Sequence, residues 1–266
     1  MPSVVADVRE MLSEQVQYRE LLYQMTRRDL LLRYKQTIMG FGWAVFTPLI
    51  NTIIFSVVFM KVAPLDVGAP YPVFAYAGLL AWNLFASSLR FSVNSLTANI
   101  NLVAKVYFPR EIFPFSTVIV AVGDLAVGAT LLIAMMVYYR VPPSAALLFV
   151  PVVLLVQVVF TAGIALILAM ANLFYRDVKY LFEVLITVWM FATSVLYPMD
   201  RVGGLAGTLL RLNPMTPIID SYRAILFRGE LPEMLPFAAV AIVSVAILSI
   251  GWLTFHRSEY MFAECI

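Results

Sequence analysis

Between Ile38 and Met60 the chain reads IMGFGWAVFTPLINTIIFSVVFM, without one charged side chain. A helix of this length covers the roughly 30 Å hydrocarbon core of a bilayer at about 1.5 Å per residue. In water it would have no polar face to turn outward. The rest of the chain agrees. Of its 266 residues 62% are hydrophobic and only 13% are charged, against about 25% charged in a soluble domain. The bilayer is therefore the solvent.

Five more stretches reach spanning length: 73–92, 113–138, 147–171, 181–198 and 235–256. The second span is the weakest, since it carries Trp82, Asn83, Ser87, Ser88 and Arg90. The third and fourth are parted by YRVPPSAA, whose Pro142-Pro143 pair breaks a helix. The expectation is an all-α, six-span multi-pass membrane protein. Residues 1–36 form a charged N-terminal segment, and residues 37–266 form the transmembrane domain. With six Lys/Arg, five Asp/Glu and no continuous apolar core, the first 36 residues do not read as a cleavable signal.

Six crossings place both termini on one side. Arg9, Arg19, Arg27, Arg28, Arg33 and Lys35 lie there, with Lys105, Arg110, Arg176, Lys179 and Arg257, whereas the two short loops opposite hold only Lys61 and Arg140. The excess of cations marks the cytoplasmic side. Four arginines in 199–234 run against this count and are offset by Asp200, Asp220, Glu230 and Glu233.

Three segments are more than loops. Residues 18–35 project Tyr18, Leu21, Leu22, Met25 and Leu32 onto one stripe, the pattern of an interfacial helix. Asp29 falls inside that stripe and is within one turn of Arg33. The helix serves either as a lipid-surface helix or as one that also meets a partner or anionic substrate. The connections NLVAKVYFPREIFPF (101–115) and NLFYRDVKY (172–180) pair aromatics with opposite charges, which suits docking on another protein or plain anchoring at the interface. Segment 200–234 reads as two short helices, the second with Thr216 as N-cap, Pro217 at its first position and Gly229 just past its end. Two short half-apolar helices between spans imply a re-entrant hairpin, tolerated where protein or water surrounds it.

Several chemistries are missing. No G-x-x-x-x-G-K-[ST] is present, so the chain is not itself a P-loop ATPase, and no G-x-S-x-G elbow occurs. His256 is the only histidine and Cys265 the only cysteine, so no His/Cys metal cluster and no internal disulfide are expected. Asp124, in the middle of the third span, is the one clear intramembrane acid and hence a functional candidate. Its alternative is a structural bond to Gln157 or Thr161. Phe74, Tyr76, Trp82, Phe85, Trp189 and Tyr197 are expected as belt anchors or as stacking surfaces for sugar rings.

RRDLLLRYKQTIMGFGWAVFTPL, KVYFPREIFP, NLFYRDVKY and LNPMTPIIDSYRAILFRG, in that order, resemble the signature segments of the permease subunits of ABC-type polysaccharide exporters. These permeases export O-antigen, teichoic acid and related bacterial surface glycans. The resemblance implies a non-enzymatic homodimer in the inner membrane, paired with two separate ATPase chains that carry ATP and Mg. No cofactor is expected on this chain, and no nucleic-acid partner. The resemblance places the ATPase-docking coupling regions on Tyr107, Phe108, Arg110 and Glu111 and on Tyr175, Arg176 and Asp177. It puts the channel along the first and fifth spans and the outer re-entrant pair at 200–229. Arg27, Arg28, Arg33 and Lys35 are then candidate hosts for the pyrophosphate of a lipid-linked glycan at the cytoplasmic entrance. Two readings compete: an ABC permease for another lipid or a drug, and a proton-coupled secondary transporter working through Asp124.

Overall fold

The computed structural model describes residues 4–262 except 36, 63, 65–66, 106–107 and 200–201, so Tyr107 and Cys265 lie outside the described residues. Every described element is helical. Two N-terminal helices, α1 (Val4–Gln17) and α2 (Arg19–Tyr34), precede α3 (Gly42–Val57) and α4 (Tyr71–Ser95). A short α5 (Ile100–Lys105) leads into α6 (Ile112–Tyr138) and α7 (Val150–Phe174). Then come α8 (Val178–Phe191), the short pair α9 (Gly204–Arg211) and α10 (Met215–Arg223), and α11 (Met234–Ser258).

Among the described residues, five helical stretches are long and apolar enough to cross a membrane: Gly42–Lys61, Tyr71–Ser95, Ile112–Tyr138, Ala145–Phe174 and Met234–Met261. They match five of the six expected spans. The sixth does not reach full length. α8 stops at Phe191, and its 14 residues cover about 21 Å, short of a roughly 30 Å core. Residues 192–195 turn instead of continuing.

The weakest span of the sequence is the centre of the fold. α4 packs against α3, α6, α7, α8 and α10. Its apolar window is 83% buried, against 11% for that of α3, although it is the least apolar of the five. The inversion has a simple cause: a helix ringed by protein does not need to dissolve in lipid, and small polar residues tighten its contacts. Ser92 Oγ donates to Ala165 O of α7 at 3.1 Å, and Ser88 Oγ closes on Leu84 O at 2.7 Å. Phe85 packs on Phe160 and Trp189 with centroids 5.7 and 5.0 Å away. Phe74, Tyr76, Trp82 and Phe85, expected at a belt or channel wall, are therefore buried inside the single chain.

α7 and α11 cross at Gly163 and Gly251. A Cβ on Gly163 would lie 2.6 Å from Leu248 N, and one on Gly251 2.6 Å from Gly163 O. Only glycine permits this approach, the small-residue crossing that replaces hydrophobic drive within a membrane.

α9 and α10 pair as a short hairpin between α8 and α11, and Gly229 ends its second arm in the left-handed region at φ 69°. The start differs from the N-cap reading. Thr216 lies inside α10, which begins at Met215, and Asn213 Oδ1 accepts the Met215 amide at 3.1 Å. Asn213 also receives Trp189 Nε1 at 2.9 Å and donates to Ala192 O at 2.7 Å, which ties the hairpin to the broken end of α8.

Candidate functional site

α2 lies along the first half of α6. Its stripe of Tyr18, Leu21, Leu22 and Met25 packs on the buried cluster that includes Phe108, Ile112, Phe113 and Phe255. Leu32, expected on the same stripe, is exposed. The polar contacts of α2 then follow α6. Ser116 Oγ donates to Asp29 Oδ2 at 2.7 Å, and Arg28 Nη2 bonds Asp29 Oδ1 at 2.8 Å. Asp29 thus meets Arg28 and Ser116, not Arg33. It sits in the apolar stripe because that face lies on protein rather than lipid.

Two turns further along α6, Arg33 and Tyr34 both bind the Asp124 carboxylate. The Arg33 guanidinium also lies 3.8 Å from the Phe91 ring centre. Burial and the bond to Asp124 push the Tyr34 phenol up to about 12. Asp124 was expected beside Gln157 or Thr161, but neither is free for it. Gln157 Nε2 donates to Ala81 O at 2.7 Å while its Oε1 accepts from Tyr222 at 2.9 Å, and Thr161 Oγ1 closes on Gln157 O at 2.7 Å. A partner 91 residues away in sequence leaves no trace in local spacing. Arg33 is consequently turned inward. The other three entrance cations, Arg27, Arg28 and Lys35, line an open groove of about 450 Å³ with Gln24, Leu31 and Leu32.

The two connections at this end of the bundle behave differently. In the second, Tyr175, Arg176 and Asp177 are all exposed. Asn172 braces them from below: its Nδ2 donates to Val93 O at 2.8 Å and its Oδ1 accepts Lys179 N at 3.2 Å. In the first, Phe108 and Glu111 are buried. Arg110 is committed as well, with Nη2 to Val103 O at 3.0 Å and Nη1 to Glu259 O at 2.9 Å. These side chains hold the connection onto the end of α11 and offer no free docking face. Among the described residues of that set, Tyr175, Arg176 and Asp177 are the exposed ones.

At the opposite end, Arg223 of α10 is buried against the break after α8. It donates to Ser194 O, and through Nη2 to Val195 O at 2.6 Å, with its guanidinium 3.7 Å from the Phe74 ring centre. Gly78 of α4 makes room, since a Cβ there would lie 2.5 Å from Val195 O and 2.7 Å from Arg223 Nη2. Arg223 thus satisfies carbonyls that the interrupted helix leaves open. It had been counted only as one of four loop arginines. Its neighbourhood opens into a cavity of about 700 Å³ between the hairpin, Phe74 and the start of α11. Trp189 and Tyr197 are half-buried, Trp189 Nε1 donating to Asn213 Oδ1 at 2.9 Å and Tyr197 OH to Phe191 O at 2.8 Å.

The described residues thus form a polytopic helical bundle with an N-terminal helix laid on α6 and two short helices between α8 and α11. The sequence model of the ABC-2 type transporter family matches residues 20–227. The chain belongs to that family and is an ABC-2 permease. It is 32% identical over 255 residues to the O-antigen export system permease protein RfbA of Myxococcus xanthus, covering 95% of this chain and 98% of that protein. An RfbA of Klebsiella pneumoniae is 30% identical over 93% of this chain and 95% of its own. The polysialic acid transport protein KpsM of Escherichia coli is 22% identical, over 87% and 91% respectively.

Proposed function

We propose that this permease exports a lipid-linked surface polysaccharide of the O-antigen or teichoic-acid type across the bacterial inner membrane. It works as a homodimer driven by two ATPase chains that hold ATP and Mg. The observation that carries the cargo class is the near end-to-end likeness to two permeases named for O-antigen export. The bare flanks of α3 and α8 support the dimer. Leu181, Val184, Leu185, Val188 and Phe191 of α8 are exposed, as are Ile50, Ile53 and Ile54 of α3. A path between two copies of these helices would be the channel.

Both termini lie in the cytoplasm in this reading, and α8 with the turn at 192–195 makes the sixth crossing. The cation excess of the N-terminal segment and of 172–180 supports that orientation. Tyr175, Arg176 and Asp177 carry the ATPase contact, while Phe108, Arg110 and Glu111 brace the first coupling region from within. The coupling helix is α5. Arg27, Arg28 and Lys35 receive the anionic headgroup of the cargo at the open groove. A proton-coupled mechanism loses its carrier, because Asp124 is already held by Arg33 and Tyr34.

Co-expression with the candidate ATPase tests the assembly. The detergent-purified complex should have the mass of two permease and two ATPase chains, and a monomeric permease with no bound ATPase would refute it.

A further inference from the structure

The last turns of α11 carry Trp252 and His256, and the 3-10 turn that follows carries Glu259 on the same face, opposite Glu111 at the start of α6. One ligand atom from each of Glu111, His256 and Glu259 lies within 4.8 Å of the others. We propose that these three side chains bind a divalent transition-metal ion of the Zn2+ class. The ion would fasten the end of α11 to the start of α6.

Three observations carry this. The first is an unmet demand in the interior. Glu111 is fully buried, and among the described residues neither its Oε2 nor His256 Nδ1 has a hydrogen-bond partner. A buried carboxylate with an open oxygen is strongly unfavourable unless a cation meets it.

The second is spacing. His256 Nδ1 stands 3.5 Å from Glu111 Oε1. That is a poor hydrogen bond, but it is close to the edge of a tetrahedron whose corners lie about 2.1 Å from a central ion, roughly 3.4 Å. A separation of up to 4.8 Å asks one side chain to move inward by up to about 1.4 Å to reach that edge.

The third is the surroundings. Trp252 Nε1 donates to Glu111 Oε1 at 3.2 Å, and the Arg110 amide donates to Glu259 Oε1 at 3.0 Å. Each carboxylate is therefore oriented by an outer donor, as metal-binding carboxylates are. Negative charge is in excess. Arg110 is the cation nearest Glu259, at 3.4 Å, but its guanidinium is spent largely on the Val103 and Glu259 carbonyls.

One imidazole and two carboxylates form a nitrogen–oxygen set that suits Zn2+, Mn2+ or Fe2+, with water in the fourth position. The sequence alone pointed away from a metal, because His256 stands 145 residues from Glu111 (256 − 111) with no cysteine near it. The competing arrangement is an imidazolium: a proton on His256 would balance Glu111 with no metal at all.

The test uses the full-length chain in detergent, purified on a tag without histidine and stripped with EDTA. Zn2+ is added with elemental analysis of the washed protein, and Co2+ is followed by its visible absorption. Binding of one ion per chain is expected, with a higher melting temperature in Zn2+ and none of this in Mg2+. His256→Ala and Glu259→Gln should each weaken Zn2+ binding by about 10-fold or more. Glu259→Gln keeps the side-chain shape and so covers the case in which His256→Ala fails to fold. No retained metal in the wild type, or equal retention in both variants, overturns the proposal. So does a wild type that ignores Zn2+ but loses stability as pH rises through the histidine range, which would assign the role to a proton.

Discussion

Replacing Asp124 by Asn removes one charge at nearly constant shape and leaves Arg33 facing a neutral amide. The side chains of Arg33 and Asp124 are only 14% and 18% exposed, so water compensates little. Breaking a buried pair from one side costs about 3–5 kcal/mol. Here Phe91 still faces the guanidinium at 3.8 Å, a contact worth about 1 kcal/mol, and Tyr34 can donate to the new amide oxygen. The expected loss is therefore near the lower end, about 3 kcal/mol, or roughly 6–12 °C in melting temperature at about 2–4 °C per kcal/mol. Thermal unfolding of the purified chain in detergent measures it. Faster tryptic cleavage at Arg27 and Arg28 should accompany the loss as α2 leaves α6. The double variant Asp124→Leu with Arg33→Met should recover most of it, because a matched apolar pair avoids both desolvation costs. If Asp124→Asn leaves the melting temperature unchanged, or if Asp124→Leu and Arg33→Met add within about 0.5 kcal/mol, the pair does not hold α2 in place.

Gly163→Leu drives a side chain into the backbone of α11 at 247–248 and should abolish recovery of folded protein. Overpacking alone costs about 1–3 kcal/mol, and a backbone clash costs more; size-exclusion chromatography reads the outcome. Arg223→Met leaves the Ser194 and Val195 carbonyls open, at about 1–3 kcal/mol for each unsatisfied group, so the melting temperature should fall and export should fail. Tyr175→Ala with Arg176→Glu alters exposed residues and should leave stability within about 0.5 kcal/mol while weakening recovery of the ATPase in pull-downs.

The sequence and the fold agree where lipid alone decides the pattern. α3, α6, α7 and α11 were legible as long apolar runs, and the two short helices after α8 were legible from Gly229 and from their half-apolar sequence. The sequence places a helix over 18–35, where α2 runs from Arg19 to Tyr34, but it does not show the contacts of Glu111 and Asp29. α4 read as marginal because its solvent is other helices. α8 read as complete because nothing local stops it at Phe191; Asn213 and Arg223 do, from 22 and 32 residues away (213 − 191 and 223 − 191). Asp124 with Arg33, and Glu111 with His256, are likewise pairs that only tertiary packing brings together. Each is an ionisable group placed in low dielectric. The sequence marked Asp124 as costly, yet it held no periodic signal for what relieves the cost.

The most direct test of the account is surface polysaccharide in a bacterium whose copy of this permease has been deleted. Surface glycan should disappear while lipid-linked glycan accumulates on the inner side. Re-expression should restore export only together with an ATPase chain able to hydrolyse ATP. Undiminished surface polysaccharide in the deletion strain, or restoration by the permease with a hydrolysis-dead ATPase, would contradict it.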